Sequence, residues 1–268
     1  MGGKMRPCVI SLSLPPMNPT DYQRLLQLLR TSRKTVVLTG AGVSTLSGIP
    51  DFRSANGLYA HDWHGLRIED VLSIDVFDAH PEYFYGLKLF IQPEGTYQPN
   101  IVHTTLARLQ QQGVIGGIFT QNIDRLHTLA GAKDTIELHG SAEHNHCRRC
   151  HAEYPFSEIV ETAAKGEVPH CPRCGGVIKP DIVFYGEGLD EEALDRAWRD
   201  FARADLALVL GTSLVVQPAA TLPELTLRHG GKVVLVNAQE TPLDQAACLR
   251  FRDLAELFQR LHEDFPEK

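Results

Sequence analysis

The chain contains 268 residues, of which 43% are hydrophobic, and it carries a formal net charge of −7 at pH 7. This length can bury a sizeable core in one large domain, or in one domain with an insertion, and the acidic balance disfavours a nucleic-acid-binding surface. No apolar run approaches the roughly 20 residues of a membrane helix. We therefore expect a cytoplasmic protein with neither nucleic acid nor membrane among its partners. The oligomeric state cannot be predicted from the composition.

The first predicted elements are a leader and a helix. Residues 1–19 contain a short apolar run that ends at Pro15 and Pro16 instead of a small-residue cleavage site, so we predict a disordered leader. Beyond it, large side chains recur at the spacing of one helix face, with Thr20 as the predicted N-cap. The residues of this face are Tyr22, Leu25, Leu26 and Leu29.

Residues 35–53 organise the rest of the chain. The apolar run at 36–38 predicts a buried parallel strand that ends in a glycine turn at residues 40–42. Glycines there permit a tight turn and the close approach of a phosphate. Thr45 stands where a dinucleotide-binding G-x-G-x-x-G motif has its third glycine, so the motif by itself equally fits a plain strand and turn. The acidic ribose ligand of ordinary dehydrogenases is also missing near Ala60.

Downstream, the pattern alternates between helices and strands. Residues 56–93 lack a repeated strand pattern and predict a loop with small helices that covers a site. Helices are predicted at residues 101–112, 124–130, 191–203 and 219–228, and strands at 114–119, 135–138, 182–184, 206–210 and 233–236. This alternation predicts an α/β fold built on a doubly wound parallel sheet of about six strands.

Polar residues follow the predicted strands at the points where the strands end. They occupy residues 120–124, 139–140, 211–213 and 237, in addition to the glycine turn. Any one of these segments fits ordinary turn or helix-cap chemistry. Because ligands collect at the carboxyl ends of parallel strands, their convergence on one edge of the sheet predicts a binding site there.

Four of the six cysteines form two C-x-x-C pairs that are separated by 20 residues. In a reducing compartment, this spacing predicts one structural zinc ion held by four thiolates, not disulfides. The predicted ligands are Cys147, Cys150, Cys171 and Cys174.

The sequence of this region also resembles two other kinds of zinc site. His151 and Glu153, followed by Pro169, imitate the H-x-E…P-C-x-x-C signature of zinc deaminases. However, His170 separates Pro169 from Cys171, and the four thiolates already complete a tetrahedral site. A zinc ribbon that binds nucleic acid is disfavoured by the acidic net charge.

Several motifs together resemble the sirtuins, a family of NAD-dependent protein-lysine deacylases. They read GAGVS at residues 40–44, GIPDFR at 48–53, TQNIDRLH at 120–127, ELHG at 137–140, KPDIVFYGE at 179–187, GTSLVVQPAA at 211–220 and VN at 236–237. The resemblance spans nearly the whole chain after about residue 20, in the family's order. The chain most resembles bacterial members of the deacetylase type.

The resemblance implies a Rossmann-like domain and a small domain made by a helical insertion and a zinc ribbon. Residues 20–55, 94–143 and 177–268 would form the Rossmann-like NAD-binding domain. Residues 56–93 would form the cofactor loop and helical insertion, and residues 144–176 the zinc ribbon. NAD, as a co-substrate, and an acyl-lysine protein or peptide would meet in the cleft between the domains, while one structural zinc ion supports the ribbon.

The resemblance also assigns NAD contacts. The segments at 40–45 and 212–213 would hold the pyrophosphate and the adenine-side ribose, and residues 237 and 253 the adenosine half. Residues 52–53 would cover the nicotinamide end, and residue 121 would contact the nicotinamide ribose. Residues 123–124 would hold the carboxamide in a dry pocket. Burial of the carboxamide there would twist the glycosidic bond and exclude water. The implied NAD-binding residues are Gly40, Ala41, Gly42, Thr45, Phe52, Arg53, Gln121, Ile123, Asp124, Thr212, Ser213, Asn237 and Asp253.

Three residues are implied in the chemistry. His139 would be the general base, taking the proton relayed from a ribose hydroxyl that attacks the O-alkylimidate. Ser44 and Asn122 would support the ribose and an ordered water. From spacing alone, a core histidine at a strand end is the better interpretation of His139, and the ELHG context reverses it. The implied products are nicotinamide, unmodified lysine and O-acetyl-ADP-ribose.

The implied substrate-binding residues accept the peptide main chain as an added strand. They are Val183, Phe184, Tyr185, Gly186 and Glu187. Tyr185 departs from the phenylalanine of most relatives, so its hydroxyl needs a polar partner or water if it lines the acyl-lysine channel. Lys179 replaces a commoner arginine, which we expect to matter little.

Acyl selectivity is predicted from the helical insertion and from Tyr185. Members that prefer malonyl- or succinyl-lysine carry a tyrosine and an arginine three residues apart in that insertion. Tyr85 and Lys88 are the nearest pair here, but they lie too early, and lysine lacks the bidentate fork of arginine. We interpret them as ordinary helix residues. We predict that acetyl-lysine is preferred over myristoyl-lysine and far over succinyl-lysine, with Tyr185→Phe improving longer chains.

Two other classes of function stay open from the sequence. A mono-ADP-ribosyltransferase could use the same NAD site with a different nucleophile. A non-enzymatic module stabilised by NAD or zinc would bind NAD but release no nicotinamide with any acyl peptide.

Overall fold

The computed structural model describes residues 17–267. Helices α1 to α10 comprise Pro19–Thr31, Ile68–Val71, Ile74–Ala79, Pro81–Gly86, Ile101–Gln111, Leu126–Leu129, Phe156–Ala164, Glu191–Ala202, Leu222–Arg228 and Leu254–Asp264. Strands β1 to β11 comprise Thr35–Thr39, Asp62–Trp63, Leu66–Arg67, Ile118–Thr120, Thr135–Glu137, Gly140–Cys147, Glu153–Pro155, Ile178–Ile182, Leu206–Leu210, Lys232–Val236 and Leu249–Phe251. Within the described range, none of the helices has the length and apolar character to cross a membrane.

The first helix begins at Pro19, and its N-cap is Asn18. The Asn18 side-chain oxygen accepts a hydrogen bond from the backbone N–H of Thr20 at 2.9 Å. Proline fits the first helical position because its missing N–H would have no helical partner there. The prediction of Thr20 as the cap was therefore wrong. Residues 1–16 of the predicted leader lie outside the described residues; residues 17 and 18 lead into α1, and residue 19 is its first residue.

Six parallel strands form the central sheet in the order β11-β10-β9-β1-β4-β5. Numbered within this sheet alone, the strands run 6-5-4-1-2-3, which is the Rossmann order with its switch point between β1 and β9. The predicted doubly wound parallel sheet is confirmed. One of its predicted strands was wrong, because Ile182 ends β8 in another sheet. The sixth strand is β11, whose three residues are too few to show a pattern.

Helices cover both faces of the central sheet. Val37 faces a core that includes α1, α5 and α10, whereas Val36 and Leu38 face a core that includes α8 and α9. All three side chains are fully buried. Burial on both faces explains why this strand reads as a continuous apolar run.

The other predicted elements are present, with most ends shifted by at most three residues. The exception is the strand predicted at 114–119, which begins only at Ile118 as β4. The backbone N–H groups of Val114 and Ile115 instead donate to the Leu109 carbonyl at the end of α5. These two apolar residues therefore bond to the last turn of the helix and do not belong to the strand.

A smaller unit contains the antiparallel sheet β7-β6-β8 and has its own core with α3, α4 and α7. This arrangement confirms the predicted small domain built from a helical insertion and a ribbon. Its sheet begins at Gly140 and ends at Ile182, and so extends beyond residues 144–176. Tyr85 is buried in this core, where its hydroxyl donates to the Ile178 carbonyl at 2.7 Å. Lys88 lies beyond the end of α4 and is not a helix residue.

Candidate active site

The carboxyl ends of the central strands and the smaller unit enclose a large cleft of about 1070 Å³. Every residue predicted to bind NAD, to bind substrate or to take part in the chemistry lines this cleft, whereas the four cysteines lie elsewhere. The cleft lies at the switch point of the sheet, where a doubly wound fold opens a crevice. Typical small-molecule sites measure roughly 300–1000 Å³, so this cleft has room for a dinucleotide and a peptide side chain.

The glycine turn packs directly against the end of β9. The Gly40 N–H donates to the Leu210 carbonyl at 2.9 Å, and the Gly42 N–H to the Gly211 carbonyl at 2.8 Å. A Cβ on Gly40 would lie 2.7 Å from the Thr212 Cβ, and one on Gly42 would lie 2.8 Å from the Gly211 Cα. Glycine is therefore required by contact between two strand ends, a reason that sequence analysis did not supply.

A buried hydrogen-bond network joins three of the predicted residues. Ser44 Oγ donates to Asp124 Oδ2 at 2.5 Å and accepts from Asn122 Nδ2 at 3.1 Å. Asn122 Nδ2 also donates to the Gly40 carbonyl at 3.1 Å. Burial raises the pKa of the Asp124 carboxyl, and the hydrogen bond from Ser44 opposes that rise. The network fixes the segment after β4 against the glycine turn.

His139 is oriented by a single backbone contact. Its Nδ1 lies 2.9 Å from the Gln121 carbonyl oxygen, which can only accept, so Nδ1 carries the proton. The lone pair of Nε2 is then available to another donor. Burial lowers the pKa of the imidazole, and the contact with Gln121 opposes the lowering. The ring is therefore neutral at pH 7 and able to accept a proton.

The end of the cleft predicted to hold the adenosine half of NAD is built from strand ends and a helix terminus. Gln121 Nε2 donates to Thr212 Oγ1 at 2.9 Å, which ties the end of β4 to that of β9. Asn237 follows β10, and its Nδ2 donates to the Gln239 carbonyl at 3.0 Å. Asp253 is the N-cap of α10, so helix capping already accounts for an aspartate there.

An aromatic loop at residues 51–60 lines the opposite wall. The ring centroids of Phe52 and Tyr59 are 5.3 Å apart, and the Arg53 guanidinium lies 4.9 Å from the Tyr59 centroid. This cation–π contact holds the arginine beside the cleft. The Tyr59 hydroxyl lies 2.8 Å from that of Tyr185, which is the polar partner that Tyr185 was predicted to need.

The segment predicted to bind the substrate main chain forms a tight turn. The Glu187 N–H donates to the Phe184 carbonyl at 3.0 Å, and Gly186 has a φ of 94°, which glycine adopts without strain. The N–H groups of Val183, Phe184 and Tyr185 already donate within the chain. Across residues 17–267, the Gly186 N–H has no hydrogen-bond partner, so it is free to donate into the cleft.

The buried side chain of Lys179 stabilises this turn. Its buried Nζ donates to the carbonyls of Pro180 and Ile182 at 3.1 and 2.9 Å and to Glu187 Oε2 at 2.9 Å. The ammonium also lies 4.5 Å from the centroid of the Phe184 ring. Glu187 in turn accepts the Phe184 N–H at 2.9 Å, so its carboxylate braces the turn from within.

Sequence reasoning missed several residues that line the cleft, Tyr59 and Val215 among them. Val215 is 51% exposed, which is unusual for a valine that follows a buried strand. The signal for Val215 was a run of three apolar residues, 214–216, directly after the polar residues 211–213. Tyr59 gave no signal of its own, because its role depends on a partner 126 positions away.

The four cysteine sulfur atoms lie within 4.8 Å of one another. Cys147 and Cys174 are 3.5 Å apart, and Cys150 and Cys171 are 3.6 Å apart. Thiolates bound at about 2.3 Å to a tetrahedral zinc ion lie about 3.8 Å apart, whereas a disulfide requires about 2.05 Å. The Tyr154 hydroxyl lies 2.9 Å from the Cys171 sulfur, as expected of an outer contact at a metal site. The cluster therefore fits one structural zinc ion.

Known proteins resemble this chain along most of its length. The Sir2 family model matches residues 40–218. An NAD-dependent protein deacetylase of Thermotoga maritima is 46% identical over 244 residues, which cover 90% of this chain and 97% of that protein. A structure of Sir2 with a p53 peptide and NAD+ has a TM-score of 0.82 at 45% identity, covering 90% and 97% of the two chains. A second, with a deacetylated p53 peptide and 3′-O-acetyl ADP ribose, has a TM-score of 0.84 at 46% identity and covers 90% and 97%. The chain belongs to the Sir2 family.

Proposed function

We propose that this protein is an NAD-dependent protein-lysine deacetylase, which converts NAD and acetyl-lysine into nicotinamide, O-acetyl-ADP-ribose and free lysine. The observation that carries the proposal is the convergence of three residue sets, for NAD, for proton transfer and for peptide, on one cleft in a chain of the Sir2 family. The activity and the bound molecules of the similar proteins support it. Mono-ADP-ribosyl transfer is the alternative that the experiment below separates.

The glycine turn and the ends of β9 and β10 would hold NAD, the co-substrate, which supplies the ribose carbon that accepts the acyl oxygen. The hydroxyl of Ser213 and the guanidinium of Arg53 line the cleft and can donate to phosphate oxygens, whereas the Thr45 hydroxyl donates to the Gly42 carbonyl at 2.9 Å and supports the glycine turn. Ile123 and Asp124 seat the carboxamide and keep water from that end of the cleft. Their positions are supported by the bonds that fix Asp124 to Ser44 and to the Leu126 N–H.

His139 acts as the general base in this proposal. Its Nε2 accepts the proton relayed from a ribose hydroxyl, while Nδ1–H stays bonded to the Gln121 carbonyl and stabilises the resulting imidazolium. Asn122 uses its amide hydrogens on Gly40 and Ser44, so its side-chain oxygen is the group left to orient an ordered water. Ser44 contributes by holding Asn122 and Asp124.

The peptide would bind along the turn at residues 184–187, where Gly186 offers its free N–H. The zinc ion would be held by the four cysteines and supports the ribbon without taking part in the chemistry. The domain limits at residues 56–93 and 144–176 belong to the proposal as well. We place the protein in the cytoplasm, because a reducing compartment keeps four thiols available for metal, and we include neither nucleic acid nor membrane among its partners.

Among acyl groups, we propose acetyl before myristoyl and far before succinyl. The burial of Tyr85 in the core of the smaller unit supports the low rank of succinyl, because that tyrosine is not in the cleft to meet an acyl carboxylate. The hydroxyl of Tyr185 at the cleft supports a preference for short chains over long apolar ones.

Mass spectrometry of acetyl-, myristoyl- and succinyl-lysine peptides, with and without NAD, tests the proposal. We expect NAD-dependent loss of the acetyl group with one nicotinamide released per acetyl removed. Transfer of labelled ADP-ribose to protein without loss of any acyl group would favour the transferase. NAD binding without nicotinamide release from any peptide would favour a non-enzymatic module. Succinyl removal at or above the acetyl rate would overturn the proposed selectivity.

A further inference from the structure

Two tyrosine hydroxyls meet across the cleft. Tyr59 belongs to the aromatic loop at residues 51–60, and Tyr185 belongs to the turn at residues 184–187. Their hydroxyl oxygens are 2.8 Å apart, and both residues line the cleft. This contact joins the wall proposed to cover NAD to the wall proposed to bind the peptide.

Tyr59 is fixed by its own loop. Its backbone N–H donates to the Phe52 carbonyl at 2.9 Å, and its ring contacts both the Phe52 ring and the Arg53 guanidinium. Gly57 allows this close approach, since a Cβ there would lie 2.7 Å from the Phe52 carbonyl oxygen. Burial raises the pKa of the Tyr59 phenol, and the hydrogen bond with Tyr185 raises it further, so the hydroxyl stays protonated.

Tyr185 is fixed equally well from the other side. Its N–H donates to the Leu72 carbonyl at 2.9 Å, and its carbonyl accepts the Ile74 N–H at 2.9 Å. The turn that follows is braced by the ion pair between Lys179 and Glu187. Each backbone is fixed by its own hydrogen bonds, so the fold itself places the two hydroxyls in contact.

We propose that Tyr59 and Tyr185 act as one specificity-determining unit, which limits the length of the acyl group that the enzyme accepts. The inference rests on the proposed deacetylase function. Val183, two residues before Tyr185, donates its N–H to the His139 carbonyl at 2.8 Å, so the backbone that carries Tyr185 is bonded to that of the proposed base, and Tyr59, Tyr185 and His139 line the same cleft. An acetyl group is short enough to leave the pair in contact with water and with each other.

A long apolar acyl chain would cover the hydroxyl pair or separate it. Either event removes water from a hydroxyl without giving it a new partner, which is unfavourable. Replacing one tyrosine by phenylalanine leaves the other hydroxyl to be covered without its partner. Replacing both removes the polar pair at almost unchanged volume, which is nearly neutral in an apolar surrounding. The structure therefore assigns to the double variant the gain that the sequence predicted for Tyr185→Phe alone.

The test measures kcat/KM for acetyl- and decanoyl-lysine peptides in the wild type, Tyr59→Phe, Tyr185→Phe and the double variant. We expect the decanoyl-to-acetyl ratio to rise less than about threefold in each single variant and about tenfold or more in the double variant. Tyr83→Phe is the matched control, since Tyr83 packs on His64 and His80 away from the cleft, and its ratio should equal that of the wild type.

A double variant whose ratio is unchanged, or equals the product of the two single changes, overturns the inference while leaving the deacetylase activity established. A wild type that removes no acetyl group at all refutes the proposed function itself. If a variant loses turnover, calorimetric binding of the decanoyl and acetyl peptides gives the same ratio without chemistry, and the same non-additive gain is required there.

Discussion

Replacing Lys179 by methionine tests whether the turn proposed to bind the peptide depends on one buried ammonium group. The Lys179 side chain is 9% exposed and that of Glu187 is 25% exposed. The methionine would occupy similar apolar space, but two backbone carbonyls would lose their donor, and the Glu187 carboxylate would keep only the Phe184 N–H. Breaking a buried ion pair costs about 3–5 kcal/mol. Because water can reach Glu187, we expect the free energy of unfolding to fall by about 2 kcal/mol.

Urea denaturation measures the loss in the free energy of unfolding. Steady-state kinetics show which part of the cleft the substitution disturbs. The damage is local to the turn, so the KM for an acetyl-lysine peptide should rise about tenfold while the KM for NAD changes less than about twofold. Lys179→Arg keeps the charge and should stay close to the wild type. Lys34→Met removes a more exposed ion pair with Asp200 and should cost less than about 1 kcal/mol.

Two results would refute this reasoning about Lys179. One is a Lys179→Met protein that unfolds at the same urea concentration as the wild type. The other is a rise of the same size in both KM values, which would mean that the substitution disturbs the whole cleft and not the turn.

The metal cluster and the buried histidines give three more predictions. Cys171→Ser should lower bound zinc and the melting temperature, because metal binding is coupled to folding; stoichiometric zinc with an unchanged melting temperature would contradict the assignment. Burial lowers the pKa of His103 to about 3 and that of His127 to about 4, so the unfolded state binds more protons below about pH 6.5. The free energy of unfolding, measured by urea titration, should be steady above that pH and fall by about 2–4 kcal/mol at pH 5, and equal stability at pH 5 and 7.5 would disprove it. Burial also lowers the pKa of His139, so the acid limb of kcat/KM should have its midpoint below about pH 6.5, and one above about pH 7 would argue against a neutral base.

Features that rest on local chemistry could be predicted from the sequence. The strand at residues 36–38 is apolar throughout because it is buried on both faces. The segments after β1, β4, β9 and β10 are polar because they line a crevice, and their convergence depends only on the parallel topology. The two C-x-x-C pairs fix their ligands by spacing alone.

Features that rest on contacts between distant segments could not be predicted. Gly40 and Gly42 need to lack a Cβ because the end of β9, about 170 positions later, packs against them. The burial of Lys179 and the contact between Tyr59 and Tyr185 likewise depend on the tertiary fold. The sixth strand was missed because β11 is defined by pairing with β10 and not by its own pattern.

The proposed role of His139 is tested most directly by comparing His139→Ala with the wild type under two measurements. These are the formation of deacetylated peptide and O-acetyl-ADP-ribose from an acetyl-lysine peptide, and the dissociation constant for NAD. General-base catalysis contributes about 10²–10⁴-fold, so we predict a loss of at least about 100-fold in product formation, with NAD affinity changed by less than about threefold. A loss of product formation below about tenfold, in a protein that still binds NAD, would exclude His139 as the base.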